Sequence, residues 1–142
     1  MISYPIFFEA SAHAHSGMQD DWKISALDYN GVCTIPKSFE GAGGNFTPED
    51  YFLLSVINCF VASFKVYATY SKFEFKNLDV SGKLEVGLNE ESQPRMKSVH
   101  LKIKITGASN EKKAQVLTDK VLKSGFIIQS VKSEITHELE IT

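Results

Sequence analysis

An apolar stretch without glycine or proline, residues 51–70, constrains the fold of this chain more than any other feature. Thr47, directly before its start, is a good N-cap, and Pro48 suits the first position of a helix. Glu49 and Asp50 then place negative charge at the positive end of the helix dipole. The sequence therefore predicts one long helix from Pro48 to the end of the stretch. Its apolar residues lie on nearly every side of the helical wheel, which is typical of a helix buried in a protein or in a membrane.

Polar residues inside this helix argue against a membrane span. They interrupt the apolar run before it reaches the ~20 residues that a bilayer requires, at Ser55, Asn58, Ser63 and Lys65. We therefore predict a helix at the centre of a folded domain, and no membrane partner.

Three segments before the helix have the composition of β-strands. Aromatic, β-branched and small residues alternate in part over residues 4–15, 22–27 and 32–35. The pair Asn30-Gly31 is a strong hairpin signal and predicts the turn between the last two strands. Glycine-rich residues 36–45 are predicted to form a loop.

After the helix, the apolar residues change to a period of two. Residues 78–88 and 99–105 alternate in this way and predict two paired strands. A second helix is predicted from Glu111 to Lys123, where Ser124-Gly125 stops it, and a last strand at residues 131–141. Strands that are grouped, not strictly alternating with helices, predict an α+β fold with mostly antiparallel pairing. The length of 142 residues predicts a single domain.

Charge and cysteine content exclude some classes of function. The 15 basic and 17 acidic residues are spread along the chain and leave a net charge of -2. A nucleic-acid partner is not expected, because binding to phosphates needs a concentrated basic face. The N-terminus does not have the pattern of a secretion signal, and two cysteines do not make a disulfide framework. We therefore predict a cytoplasmic location.

A glycine-containing loop, a Thr-Pro-Glu helix start and a cysteine ten residues after the glutamate together resemble one known family. The family is the osmotically inducible / organic hydroperoxide resistance (OsmC/Ohr) superfamily, and the matching residues are Gly43, Gly44, Asn45, Thr47, Pro48, Glu49, Cys59 and Phe60. The resemblance implies an intertwined homodimer, with antiparallel sheets wrapped around one long central helix from each chain. It also implies thiol-dependent reduction of organic hydroperoxides. We expect no cofactor and no metal.

The resemblance places Cys59 as the reactive cysteine and Glu49 as its companion carboxylate. Active members of the family also use an arginine from the N-terminal strands and a second cysteine after the second helix. This chain has Ser124 near the place of the second cysteine, and its one arginine, Arg95, lies between the middle strands. Residues of the N-terminal hairpin that could replace the arginine are His13, His15 and Lys23.

These departures leave two hypotheses open. Burial disfavours the thiolate, which is the nucleophile, and a sulfenic acid formed without a resolving thiol needs an external one. Cys59 could therefore act as a one-Cys hydroperoxide reductase with an external thiol reductant. Alternatively, the protein is a non-catalytic OsmC-like dimer that binds a small apolar ligand at its interface.

Cys33 and Glu49 also have a purely structural explanation. Cys33 could resolve an oxidised Cys59 or simply fill the core, and Glu49 could simply stabilise the helix dipole. Ten helical residues separate Glu49 from Cys59 by roughly 15 Å along the axis. The two side chains can therefore cooperate only through a bend or across two chains.

Overall fold

The computed structural model describes residues 1–142. The contacts within the chain define two compact units, residues 1–51 and residues 52–142. Each unit is described by itself below, and the single domain expected from the chain length stays a prediction.

A three-stranded antiparallel sheet forms the first unit. Its strands are β1 (Ser11–His13), β2 (Trp22–Ala26) and β3 (Tyr29–Cys33), in the order β1-β2-β3. The prediction of a turn at Asn30-Gly31 is wrong: both residues lie inside β3, opposite Ser25 and Ile24. Ala26 pairs with Tyr29, so the turn is the two residues between them, and Leu27 adopts a left-handed φ of 54° there.

The predicted first strand, residues 4–15, forms only over Ser11–His13. A strand needs a neighbour for its backbone hydrogen bonds. Of the predicted first strand, only these three residues pair with β2. The segment before β1 therefore leaves large apolar side chains in the open, and Phe7 and Phe8 are 83% and 93% exposed.

The glycine-rich loop folds back on itself before the long helix begins. It contains a short 3-10 helix, Lys37–Phe39. Thr34 donates its backbone N–H to the carbonyl of Phe46 at 3.0 Å, and the N–H of Gly43 reaches the carbonyl of Ile35 at 3.1 Å. These bonds bring the end of β3 next to the start of the helix within the first unit.

The long helix α1 runs from Pro48 to Tyr70, as predicted. Thr47 caps it: its Oγ1 accepts from the N–H of Asp50 at 3.2 Å, and the Asp50 carboxylate accepts from the N–H of Thr47 at 2.9 Å. This reciprocal pair satisfies backbone donors that a helix start otherwise leaves without a partner. The cap therefore uses Asp50 and leaves the carboxylate of Glu49 free for another role.

The second unit contains the rest of α1, a three-stranded sheet and two further helices. Its strands are β4 (Asn77–Leu88), β5 (Pro94–Thr106) and β6 (Glu134–Ile141). The β4–β5 pair is antiparallel and the β5–β6 pair is parallel. The α+β class is thus confirmed.

Helix α2 (Glu111–Ser124) is capped at its start by Asn110, whose side chain accepts from the N–H of Lys113 at 3.0 Å. A short helix that the sequence did not predict, α3 (Phe126–Ser130), follows directly after Gly125.

Side chains of α1, β5 and α2 form the core of the second unit. Val56, Phe60 and Phe64 on α1 are fully buried together with alternate residues of β5. At Gly82 of β4, an added Cβ would lie 3.1 Å from a methyl carbon of Leu53, so α1 passes close to the sheet there. Each buried large apolar side chain contributes about 1.5–3 kcal/mol, and this packing fixes the part of α1 that carries Cys59.

Candidate active site

Cys59 lies on the buried side of α1, within the core of the second unit. It is 8% exposed, whereas its neighbours in the core, Val56 and Phe60, are 0% exposed. Two polar residues close to it in sequence are used by the helix itself. Asn58 donates to the carbonyl of Leu54 at 2.8 Å, and Ser55 donates to the carbonyl of Phe52 at 2.6 Å. The Cys59 thiol is therefore the side chain of this part of α1 that remains as a candidate nucleophile.

Gly125 is the residue that faces this thiol from the end of α2. A Cβ built on Gly125 would lie 3.1 Å from the Sγ of Cys59. The position is held firmly, because the N–H of Gly125 donates to the carbonyl of Val121 at 2.8 Å and its carbonyl accepts from Gln129 at 2.9 Å. Residue 125 thus occupies the place from which a second side chain would reach Cys59.

The side chain of Ser124, which lies near the expected place of the second cysteine, is hydrogen-bonded to other residues. Its hydroxyl lies 2.6 Å from the hydroxyl of Tyr67 and donates to the carbonyl of Lys120 at 2.6 Å. Ser124 therefore belongs to the contact between α2 and the far half of α1, and the next residue, Gly125, approaches Cys59. One step along the chain at a helix end turns a side chain to a different side, which family spacing alone could not resolve. The sequence signal for this position was the pair Ser124-Gly125, which predicted where the second helix ends.

Glu49 lies at the second position of α1, in the first unit. One of its carboxylate oxygens, Oε1, is buried and has no hydrogen-bond partner. A buried carboxylate oxygen without a donor is costly, because it loses its hydration. No ion pair in the chain includes Glu49. Its Oε1 is therefore ready to accept a hydrogen bond that this chain does not supply.

None of the proposed substitutes for the family arginine bonds to Glu49. His13 and His15 contact each other edge to face, with ring centroids 5.2 Å apart, and His13 pairs with Lys23 across the sheet. Arg95 lies in β5, where it donates to the side chain of Gln93 at 2.7 Å. No group of three or more histidine, cysteine, aspartate or glutamate side chains is placed to hold a metal ion.

Cys33, at the end of β3, is the second free thiol and is 4% exposed. Burial raises the pKa of Cys33 above its ordinary value of 9.0. A hydrogen bond with the Thr34 backbone opposes this in part, and the negative charges of Glu49 and Asp50 make smaller contributions that raise the pKa. Because the thiolate is the form that reacts, the raised pKa lowers the reactive fraction of Cys33.

By length and composition alone, α1 qualifies as a helix that could cross a membrane. It has 23 residues, the mean hydropathy of its most apolar window is 1.6, and 28% of that window is buried. The polar residues of α1 therefore do not exclude a span by themselves, contrary to the argument from the sequence. The core helix of a water-soluble protein passes the same test, and the absence of a membrane partner stays a prediction.

The sequence profile of OsmC-like proteins matches residues 41–140 of the chain. The chain therefore belongs to the OsmC-like family, as its loop, helix start and cysteine predicted. The matched region includes Glu49, Cys59 and Gly125. No curated protein matches the sequence.

Solved structures with the same fold are distant in sequence. An OsmC-like protein of unknown function from Vibrio cholerae O1 biovar eltor str. N16961 has a TM-score of 0.83 at 14% identity, over 95% of this chain and 99% of that chain. An OsmC-like protein from Mycoplasma pneumoniae has a TM-score of 0.80 at 13% identity, over 98% and 99%. An organic hydroperoxide resistance protein from Elizabethkingia anophelis has a TM-score of 0.75 at 18% identity, over 99% of each chain. The chain thus has the α+β fold of OsmC-like proteins and is a distant relative of organic hydroperoxide resistance proteins.

Proposed function

We propose that this protein is a one-Cys hydroperoxide reductase of oxidative stress defence, in which Cys59 is the nucleophile. The observation that carries the proposal is the position of Cys59 in an apolar core with part of the residue still accessible. Among the buried residues of α1, Cys59 keeps the largest exposed fraction, 8%, while the others are at 0% to 3%. A thiol with this access lies in an apolar setting that suits an organic hydroperoxide better than a strongly hydrated oxidant.

The reaction would follow the usual thiol chemistry. The Cys59 thiolate attacks an oxygen of the peroxide bond and forms a sulfenic acid, while the other oxygen leaves with a proton as an alcohol. One molecule of an external thiol then forms a mixed disulfide with Cys59 and releases water. A second thiol molecule restores the Cys59 thiol and leaves as a disulfide. No cofactor takes part.

A homodimer is part of this proposal. Apolar residues on nearly every side of α1 remain partly open: Leu54 is 39%, Val66 48% and Tyr70 79% exposed. A second copy of the chain is the partner that would cover them, since exposed apolar patches of this kind mark interaction surfaces. Within such a dimer, Glu49 of a second copy would be the companion carboxylate of Cys59, because one helix keeps the two residues apart. Both cysteines being free thiols suits the proposed cytoplasmic location.

A second candidate function, the binding of a small apolar ligand by a non-catalytic dimer, is favoured by a groove in the first unit. This groove has a volume of about 590 Å³ and is lined by small and aromatic residues, namely Ala10, Ser11, Ala12, Ile24, Ser25, Ala26, Tyr29 and Tyr51. Its size is within the range of small-molecule sites. Ligand binding here would not require Cys59.

Peroxide turnover separates the two candidates. We expect the protein with dithiothreitol as external thiol to consume cumene hydroperoxide, and Cys33→Ser to do so at a similar rate. Cys59→Ser should fall to the rate of dithiothreitol alone. Turnover that survives Cys59→Ser, or its absence in the folded wild-type protein, would reject the reductase. In the second case, binding of a fluorescent fatty acid with equal affinity by wild type and Cys59→Ser would support the ligand-binding dimer.

A further inference from the structure

We propose that residue 125 determines how oxidised Cys59 is reduced: Gly125 occupies the place of a resolving thiol and, by lacking a side chain, leaves Cys59 to an external thiol. This inference rests on the proposed function. It concerns a residue that the sequence had suggested only as a helix stop.

The distance between residue 125 and Cys59 is that of a disulfide. A Cβ at Gly125 would lie 3.1 Å from the Sγ of Cys59. In a disulfide with a sulfur–sulfur bond of about 2.0 Å, the Cβ of one cysteine lies about 3 Å from the sulfur of the other. A cysteine at residue 125 could therefore bond to Cys59 with only a small local shift.

The backbone at Gly125 does not require glycine. Its φ of -60° and ψ of 130° are open to any residue, whereas a glycine that ends a helix usually adopts a left-handed conformation. The missing side chain is explained instead by its surroundings, since an added Cβ would also meet the Val121 carbonyl at 3.1 Å and a methyl carbon of Ile128 at 3.3 Å. Glycine here lets the backbone come close to the sulfur, and any side chain would press on these three atoms.

The same segment lies at the surface of the second unit. Phe126, the next residue, is 74% exposed, so the chain that passes Cys59 is one residue away from solvent. A small external thiol that enters beside Gly125 would place its sulfur where the sulfur of a cysteine at this position would be. For wild type the step is Cys59–SOH plus an external thiol, giving a mixed disulfide and water. With a cysteine at residue 125, the same step gives an internal disulfide and water.

A matched pair of variants tests this geometry without a peroxide. Gly125→Cys and Ser124→Cys are made in the Cys33→Ser background and oxidised with diamide, which takes up the two hydrogens that a pair of thiols loses. We expect Gly125→Cys to close a disulfide with Cys59 at least about tenfold faster than Ser124→Cys, because exchange and closure depend on the access of one sulfur to the other. Free-thiol titration measures the closure, and the masses of the linked peptides after digestion identify the bond.

Equal closure in the two variants, or a folded Gly125→Cys that stays reduced, would overturn the inference. If Gly125→Cys does not fold, Gly125→Ala provides the test in the Cys33→Ser background. Its methyl group should slow the reaction of Cys59 with an aromatic disulfide reagent by about tenfold or more, since this reaction depends on access to the sulfur. Ser124→Ala should leave the rate unchanged, and an unchanged rate in Gly125→Ala would reject the proposal.

The outcomes also distinguish this inference from the proposed function. Rapid disulfide closure in Gly125→Cys, together with a wild-type Cys59 that is inert to hydroperoxide, would reject the reductase and with it the role of residue 125 in reduction. A reactive Cys59 in a protein whose Gly125→Cys variant is folded but does not close a disulfide would keep the reductase and reject the role of residue 125.

Discussion

A methyl group added at residue 125 meets three atoms that are already in place. In Gly125→Ala the new carbon would lie 3.1 Å from the Sγ of Cys59, 3.1 Å from the Val121 carbonyl oxygen and 3.3 Å from a methyl carbon of Ile128. Extra carbon in a packed core costs about 1–3 kcal/mol. Alanine at a compatible φ and ψ regains about 0.4–1 kcal/mol by reducing the freedom of the unfolded chain. We therefore expect the free energy of unfolding to fall by about 1.3 kcal/mol, the difference between the midpoints of these two ranges.

Urea denaturation followed by circular dichroism measures this change. Wild type and variant are compared at one protein concentration, because the stability of the proposed dimer would depend on concentration. Lys123→Ala, an exposed change two residues away, is the matched control and should stay within about 0.5 kcal/mol of wild type. A Gly125→Ala protein as stable as wild type, or more stable, would mean that the space beside Cys59 is open, and the packing argument would be refuted.

Three further predictions concern stability. Phe64→Ala removes a fully buried ring that contacts three other rings, Phe60, Phe73 and Phe75. It should lower the free energy of unfolding in urea by about 3–5 kcal/mol. A loss below about 1 kcal/mol would contradict the core described for the second unit. Thr47→Ala removes the cap of α1 and should cost about 1–2 kcal/mol in the same assay, where an unchanged midpoint would argue against the cap. Because burial raises the pKa of Cys33 above 9.0, the native state keeps this proton where the unfolded chain has lost it, and stability should fall as the pH rises through about 9. Cys33→Ser should make that fall shallower between pH 8 and pH 11, and equally steep curves would reject the effect.

Local signals were sufficient to predict the elements that carry the site. Thr47, Pro48 and Asp50 mark the start of α1 by cap chemistry that acts within one turn, and the structure has the helix begin there. Alternation with a period of two likewise predicted β4 and β5, since each has one face on the core.

The wrong or missing predictions concern strand pairing and helix packing, which the spacing of residues in the sequence does not show. Asn30-Gly31 lies in a strand because the pairing of β2 with β3 continues to Tyr29. The segment before Ser11 lacks a partner strand in its own chain, so its β-like composition did not suffice. Helix α3 has five residues, too few for a periodic pattern. Ser124 and Gly125 are adjacent in sequence, and only the packing of α2 shows which one faces Cys59.

Oxidation of Cys59 at stoichiometric peroxide tests the central claim most directly. Wild type, Cys33→Ser and Cys59→Ser are each mixed with one equivalent of cumene hydroperoxide, quenched, and measured by intact mass spectrometry with peptide mapping. We predict that wild type and Cys33→Ser gain one oxygen at Cys59, and that Cys59→Ser stays unmodified. A folded wild-type protein whose Cys59 remains a thiol, or a Cys59→Ser protein that is oxidised as readily at Cys33, would contradict the assignment of Cys59 as the nucleophile.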